Sequence, residues 1–318
     1  MPGDMRGSTP FPVHLMQPRD IAAYSFLALA WGLSFLLLLK VVEAFGWVGA
    51  VTLRCFIAGL ILFGVAKLIG RKLDFSARWF HFAAVGATTV AGQLIGLSYA
   101  TPLIGTAMSA IFVAAIPMFS MLIGQVWGLE RMTGTRLVGI LIGACGIVLL
   151  VGFPAVAVDA TFVLGCVGMV FSTFCAALGS NYASKYLRDT GSFEVTIGAF
   201  LFGGLLTLPL LLLVPIPGRP EPVDYLYLVA LAGLMSSLTY VIYFALVARI
   251  GATRAISVEF CVTVVAVAVG AGLLGEPLSP MQYAGGLLII LGCALVLGLL
   301  RLKRPAAVAD SGPQPPLV

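Results

Sequence analysis

The chain has 318 residues, of which 60% are hydrophobic and 10% charged, against roughly 25% charged in an average soluble domain. That leaves too few charges to coat the two globular domains into which a soluble chain of this length usually splits. The net charge of +5 comes from basic residues standing singly or in short clusters between apolar stretches, so they form no long nucleic-acid-binding face and read as orientation signals.

The opening residues, 1–20, are polar and rich in Pro and Gly, and are predicted to be a cytoplasmic tail. The apolar stretch from Ile21 to Leu39 is longer than the roughly 7–15 residues of a signal-peptide core. No small-residue cleavage site follows it, so a retained membrane helix is predicted. Crossing a hydrocarbon core takes about 20 apolar residues. On that rule further helices are predicted at 46–68, 79–99, 105–127, 136–155, 161–184, 195–215, 225–248, 255–274 and 280–300. Strands are excluded, because lipid offers unpaired backbone groups no partner. The predicted fold class is an all-α integral membrane protein with ten transmembrane helices and short connections. The tail at 301–318 is Pro- and Ala-rich from Pro305 onward and is predicted to be cytoplasmic and disordered. The six cysteines (Cys55, Cys145, Cys166, Cys175, Cys261, Cys293) all fall in apolar stretches with no CxxC pair, and are predicted to be buried small hydrophobes.

With the N-terminus in the cytoplasm, the inner segments hold 15 of the 18 basic residues, from Arg6 and Arg19 to Arg301, Lys303 and Arg304. The outer segments hold Lys40 and Arg219, and Arg54 lies within the second span. The positive-inside rule therefore puts both termini in the cytoplasm.

An internal repeat bears on the whole chain. At a constant offset of 146, residues 105–152 align with 251–298, matching Gly105 to Gly251, Gly124 to Gly270, Glu130 to Glu276, Gly139 to Gly285, Gly146 to Gly292 and Gly152 to Gly298. Glycine matches come easily in such a chain, but a lone acidic residue ending an apolar span does not. Five helices per half force the halves to enter the membrane from opposite sides. Inverted repeats recur in secondary transporters, whose solute site lies near the midplane between the two halves. The predicted organisation is one repeat at 21–155 and a second at 156–300.

Several stretches carry a family resemblance: ALAWGLSFLLLLK in the first helix, VTLRCF in the second, GLERMTGTRLVGILIGACGIVLLVG after the fourth, and LLGEPLSPMQYAGGLLIILGCALVLG after the ninth. Their order and spacing resemble the drug/metabolite transporter superfamily, in particular ten-helix proteins with two tandem EamA-type domains. The similarity covers about residues 21–300. It implies a carrier whose solute lies among the third, fourth, eighth and ninth helices. One departure stands out. Such proteins often have a proline in the ninth helix where this chain has Val262 or Thr263, whereas the fourth helix keeps Pro117.

The candidate substrate-binding residues are Trp31, Arg54, Gln93, Tyr240, Tyr243 and Glu259. Arg54 lies roughly 12 Å into its helix at 1.5 Å per residue, too deep to reach water comfortably, so it should face protein or a cavity. It either attracts an anionic group or bonds backbone carbonyls at a helix end. Glu259 stands where the first repeat has Val113. That asymmetry favours a role in a cavity, the alternative being a pair with Arg254 at a poor helical spacing. A carboxylate within the membrane on one repeat only is also the candidate for proton coupling. Gln93, Tyr240 and Tyr243 are polar tips on apolar spans, the tyrosines sharing a face with Ser236, and either line a cavity or bond a neighbouring helix. Trp31 either packs or lines the cavity. Glu130 and Glu276 end helices just before another begins, and are predicted to favour the next helix N-terminus through its dipole. The glycine ladders of the fifth and tenth helices permit close approach between halves or between protomers, which leaves a homodimer open.

Enzyme chemistry finds no support in the residue pattern. The histidines are His14, in the tail, and His81, at the start of the third helix, and neither has a partner in view. No nucleophile, metal set or acid–base pair stands out, nor does a P-loop or a pore-type filter. The predicted function is secondary-active transport of a small polar or amphiphilic metabolite, amino-acid-like and moved outward, with no enzyme activity, no cofactor and no metal. Its partners are the solute and the lipid bilayer of a bacterial inner membrane, not nucleic acid. The alternative is a membrane-embedded enzyme or a non-transporting receptor or structural protein, which would leave the repeat unexplained.

Overall fold

The computed structural model describes residues 18–75, 79–129, 132–154, 158–297 and 299–300. Most of the predicted N-terminal tail, the C-terminal tail and Glu130 lie outside them. The described residues are all-helical: α1 (Pro18–Leu68), α2 (Trp79–Val85), α3 (Gln93–Ile104), α4 (Thr106–Val113), α5 (Ile116–Val126), α6 (Gly134–Gly152), α7 (Ala160–Tyr186), α8 (Ser192–Thr207), α9 (Pro222–Ala232), α10 (Thr239–Ile250), α11 (Ala252–Ala255), α12 (Val258–Gly272) and α13 (Pro280–Val296). Eight stretches among them are long and apolar enough to cross a membrane, and α13 is a shorter apolar helix of 17 residues.

A length of 51 residues makes α1 more than twice what a hydrocarbon core of about 30 Å requires. Its backbone leaves helical geometry at Gly46, with φ 69° and ψ 163°. This left-handed region strains any residue with a Cβ, and a Cβ there would also stand 3.2 Å from Pro217 Cδ. The first predicted helix therefore continues past Leu39, through Lys40 and Glu43, up to this break. Those two side chains are exposed and pair at 3.4 Å, so helix continues where hydropathy falls.

Four further irregularities interrupt the spans. A π-helical stretch, Gly86–Gly92, joins α2 to α3, and a second, Gly233–Leu238, joins α9 to α10. The predicted fourth helix breaks at Ala114 and Ala115 between α4 and α5, and the predicted ninth at Ile256 and Ser257 between α11 and α12. Pro117 follows the first break at the start of α5, where its missing N–H costs nothing. The predicted ninth helix breaks with no proline at all.

Close packing depends on glycine where helices cross. A Cβ on Gly139 would stand 2.5 Å from the Gly292 carbonyl oxygen, and one on Gly146 would stand 2.6 Å from that of Gly285. The backbones of α6 and α13 thus touch, as small residues allow in membranes. Cys55, Cys166, Cys175 and Cys293 are buried, but Cys145 and Cys261 are exposed on the bundle exterior. This corrects the expectation for those two: an outward face in an apolar span is as apolar as the interior, so hydropathy does not separate them.

Candidate solute-binding site

A narrow cavity forms where the first π-helical stretch and the two helix breaks meet. Trp31 reaches it from α1, Thr89 from the first π-helical stretch and Gln93 from the start of α3. Ile116 enters from the α4–α5 break and Ile256 from the α11–α12 break. Ala176 and Ser180 come from α7, Tyr240 and Tyr243 from α10, and Glu259 from the first turn of α12. Non-helical backbone at membrane depth is tolerated where it is buried in protein or lines a cavity, and π-bulges gather at functional sites. The side chains leave room for about one water molecule. A solute can enter only if they move apart.

The aromatic wall is tied down by hydrogen bonds. Trp31 Nε1 donates to Thr239 Oγ1 at 3.0 Å, and its ring meets Tyr240 at 5.6 Å and Tyr243 at 5.4 Å between centroids. The Tyr243 hydroxyl pairs with Ser180 Oγ at 2.8 Å. Asn181, the next residue on α7, donates to Ser120 Oγ at 2.8 Å and holds α5 against α7. Thr89 lies buried, its hydroxyl without a hydrogen-bond partner among the described residues.

Five of the six sequence-predicted residues thus come together: Trp31, Gln93, Tyr240, Tyr243 and Glu259. Arg54 stands apart. It is 4% exposed and next to Tyr240 but outside the lining, and its Nε donates to Ser236 Oγ at 2.6 Å. The partner is therefore a side chain of the second π-helical stretch, neither an anionic group nor a backbone carbonyl. Glu259 is 7% exposed and makes no ion pair with Arg254 among the described residues. Instead the Arg254 carbonyl accepts a hydrogen bond from the Tyr24 hydroxyl, which also lies 3.1 Å from Ser257 Oγ. Tyr24 thereby ties the start of α1 to the α11–α12 break. His81 does have a partner, Tyr182, whose hydroxyl lies 2.8 Å from its Nδ1, and it stacks on Tyr186. Both tyrosines lie about a hundred residues away on α7, beyond the reach of local pattern.

Thr89, Ser180, Ile116, Ala176 and Ile256 do not stand out in the sequence. Threonine and serine are ordinary in membrane helices, and the two isoleucines mark breaks that carry no apolar-pattern signal.

The second repeat acts on the first through Glu276. Its carboxylate accepts hydrogen bonds from the backbone N–H groups of Thr106 and Ala107, each at 2.8 Å, and from the Thr106 hydroxyl at 2.8 Å. Its position in the sequence suggests service to the next helix, but that helix, α13, is capped by Ser279 and Gln282. The lone carboxylate instead caps α4, 170 residues earlier. Thr263 makes a second cross-link, donating to the Ala110 carbonyl at 2.8 Å.

Likeness to known proteins covers nearly the whole chain. The EamA-like transporter family model fits it twice, over residues 21–152 and 163–298. The chain belongs to the EamA-like transporter family. EamA relatives include a transporter of Archaeoglobus fulgidus, 24% identical over 270 residues, covering 84% of this chain and 94% of that protein. The inner membrane transporter YedA of Escherichia coli is 24% identical over 274 residues, covering 85% of this chain and 88% of that protein. A probable terminal-alkyne amino-acid exporter of Streptantibioticus cattleyicolor is 24% identical over 283 residues, covering 87% and 93%. One crystal structure superimposes with a TM-score of 0.65 at 18% identity, covering 90% of this chain and 98% of the other. The chain is thus a membrane protein of a transporter family, with the fold shared by that structure.

Proposed function

We propose that this EamA-family protein is a secondary-active carrier that moves a small polar or amphiphilic metabolite, of amino-acid type, out of the cell by alternating access. The observation that carries the reading is the convergence of the first π-helical stretch and both helix breaks around one cavity containing Glu259. Irregular segments are where paired repeats can bend. In this reading ten crossings form two inverted repeats, 21–155 and 156–300, with both termini cytoplasmic in a bacterial inner membrane.

The packing of α6 on α13 supports a two-fold relation between the halves. Gly139 touches Gly292 and Gly146 touches Gly285; Gly285 lies 146 residues beyond Gly139 and Gly292 lies 146 beyond Gly146, so the repeat offset exchanges the two contacts. Gly105 and Gly251, the same distance apart, share one unusual backbone geometry, φ 86° and ψ 161° against φ 84° and ψ 159°. The amino-acid exporter among the relatives supports the solute type and the outward direction.

Glu259 supplies the coupling. A carboxylate facing the cavity can take a proton from one side and release it to the other as access alternates, without any ATP site. Purified protein in proteoliposomes with an imposed pH gradient, offered a panel of labelled amino acids and amines, tests this. The parent should accumulate at least one solute, and Glu259→Gln should retain some exchange while losing gradient-driven accumulation. An unchanged dependence on the gradient in Glu259→Gln would remove the coupling role.

A further inference from the structure

Among the described residues lining the cavity, Glu259 is the one that bears a carboxyl group. It is buried, and its carboxylate has no hydrogen-bond partner among the described residues. A buried carboxyl group without a partner is held neutral by a proton or, once ionised, calls for a counter-charge. Arg54 does not supply one in the lining, since its guanidinium is bonded to Ser236.

Three aromatic side chains complete the wall. Trp31, Tyr240 and Tyr243 are mutually in contact, with centroid separations of 5.4 to 6.4 Å. The indole N–H is committed to Thr239 and the Tyr243 hydroxyl to Ser180. What Trp31 and Tyr243 retain for the cavity is ring surface. Ring faces carry partial negative charge and attract cations, and clustered rings beside a carboxylate are the pattern that recognises ammonium groups. The same surroundings repel a carboxylate on a solute.

We propose that this cavity selects a solute bearing a single positive charge, the ammonium group of a small organic amine, held by Glu259 among the rings of Trp31, Tyr240 and Tyr243. The proposal rests on the reading of the cavity as the solute site. Within the amino-acid-type solutes of that reading it narrows the class to those whose carboxylate is absent or masked, such as amines, esters and amides: the ammonium end is what the protein reads, and a free solute carboxylate weakens binding. Gln93 adds a neutral polar contact for a hydroxyl or amide elsewhere on the solute.

Calorimetry on purified protein in detergent tests the charge preference with three probes of similar size: choline, its uncharged isostere 3,3-dimethylbutan-1-ol, and zwitterionic glycine betaine. Choline should bind at least about tenfold more tightly than either of the others. Glu259→Gln should collapse the ratio of choline to alcohol affinity towards one. Trp31→Phe, which keeps a ring, should stay within a few-fold of the parent, whereas Trp31→Leu should lose about tenfold. Circular dichroism and gel filtration establish that each variant is folded. Equal binding of the alcohol, tighter binding of betaine, no binding of choline, or an unchanged ratio in Glu259→Gln would each overturn the proposal. Should one of these occur while the parent still moves a labelled amino acid that Gln93→Ala fails to move, ammonium selection falls and the carrier reading stands.

Discussion

The Glu276 carboxylate caps the N-terminus of the helix that begins at Thr106, taking that residue's backbone N–H and its hydroxyl at 2.8 Å each. A carboxylate at a helix N-terminus satisfies otherwise unpaired donors and meets the positive end of the dipole. The two residues belong to different repeats, so the cap also fastens one half of the protein to the other. Replacing Glu276 with Ala should lower stability by about 1–2 kcal/mol, the usual cost of losing a cap. Thermal unfolding in detergent measures it, and an unchanged midpoint would mean that the cap contributes nothing.

Arg54 and Ser236 form a buried pair across 182 residues. Ser236→Ala leaves the guanidinium without this acceptor and should cost about 1.5–3 kcal/mol, the range for hydrogen bonds to charged groups. Arg54→Met combined with Ser236→Ala should be less damaging than the two single losses added together, because the stranded charge is gone. Denaturation of the four proteins in a double-mutant cycle gives the coupling. Strict additivity would deny that the pair is a unit.

The α6–α13 contact predicts a sharp contrast between glycines. Gly146→Ala places a methyl 2.6 Å from a backbone oxygen, and should destabilise by about 1–3 kcal/mol through overpacking. A Cβ on Gly64 would meet nothing within 4 Å, so Gly64→Ala should be neutral or slightly stabilising. Comparing the two melting temperatures checks the packing directly.

Topology is tested by reporter fusions at Asp74 and Gly218, which the proposed orientation puts in the cytoplasm and outside. Reversed signals at both sites would overturn the orientation. The same signal at both would break the proposed number of crossings.

Much of the cavity is legible in the sequence because an isolated polar or aromatic residue on an apolar span is conspicuous. Gln93, Tyr240, Tyr243 and Glu259 stand out for that reason, and all four line it. Thr89 and Ser180 do not, since serine and threonine are ordinary in helices, where a hydroxyl can bond a carbonyl of the same helix, as Ser180 does to Ala176, and nothing local shows that Thr89 does not. The depth of Arg54 follows from counting residues, but its partner comes from another helix and lies beyond any local pattern. Glu276 is readable as a helix-terminal carboxylate, while the helix it serves depends on tertiary packing. Gly46 shows the same limit in the fold. Lys40 and Glu43 lower hydropathy enough to suggest an end to the helix, yet the backbone turns only where glycine permits a positive φ.

Alternating access requires the cavity to open to each side of the membrane in turn. A single cysteine at Gln93, in a background with the six native cysteines replaced, tests this without knowledge of the solute. Membrane-impermeant maleimide is applied from one side or the other of oriented vesicles, and labelling is followed by mass shift while pH is varied. Gln93→Cys should be labelled from both sides, with pH moving reactivity from one side to the other. Labelling from one side alone under every condition would contradict alternating access.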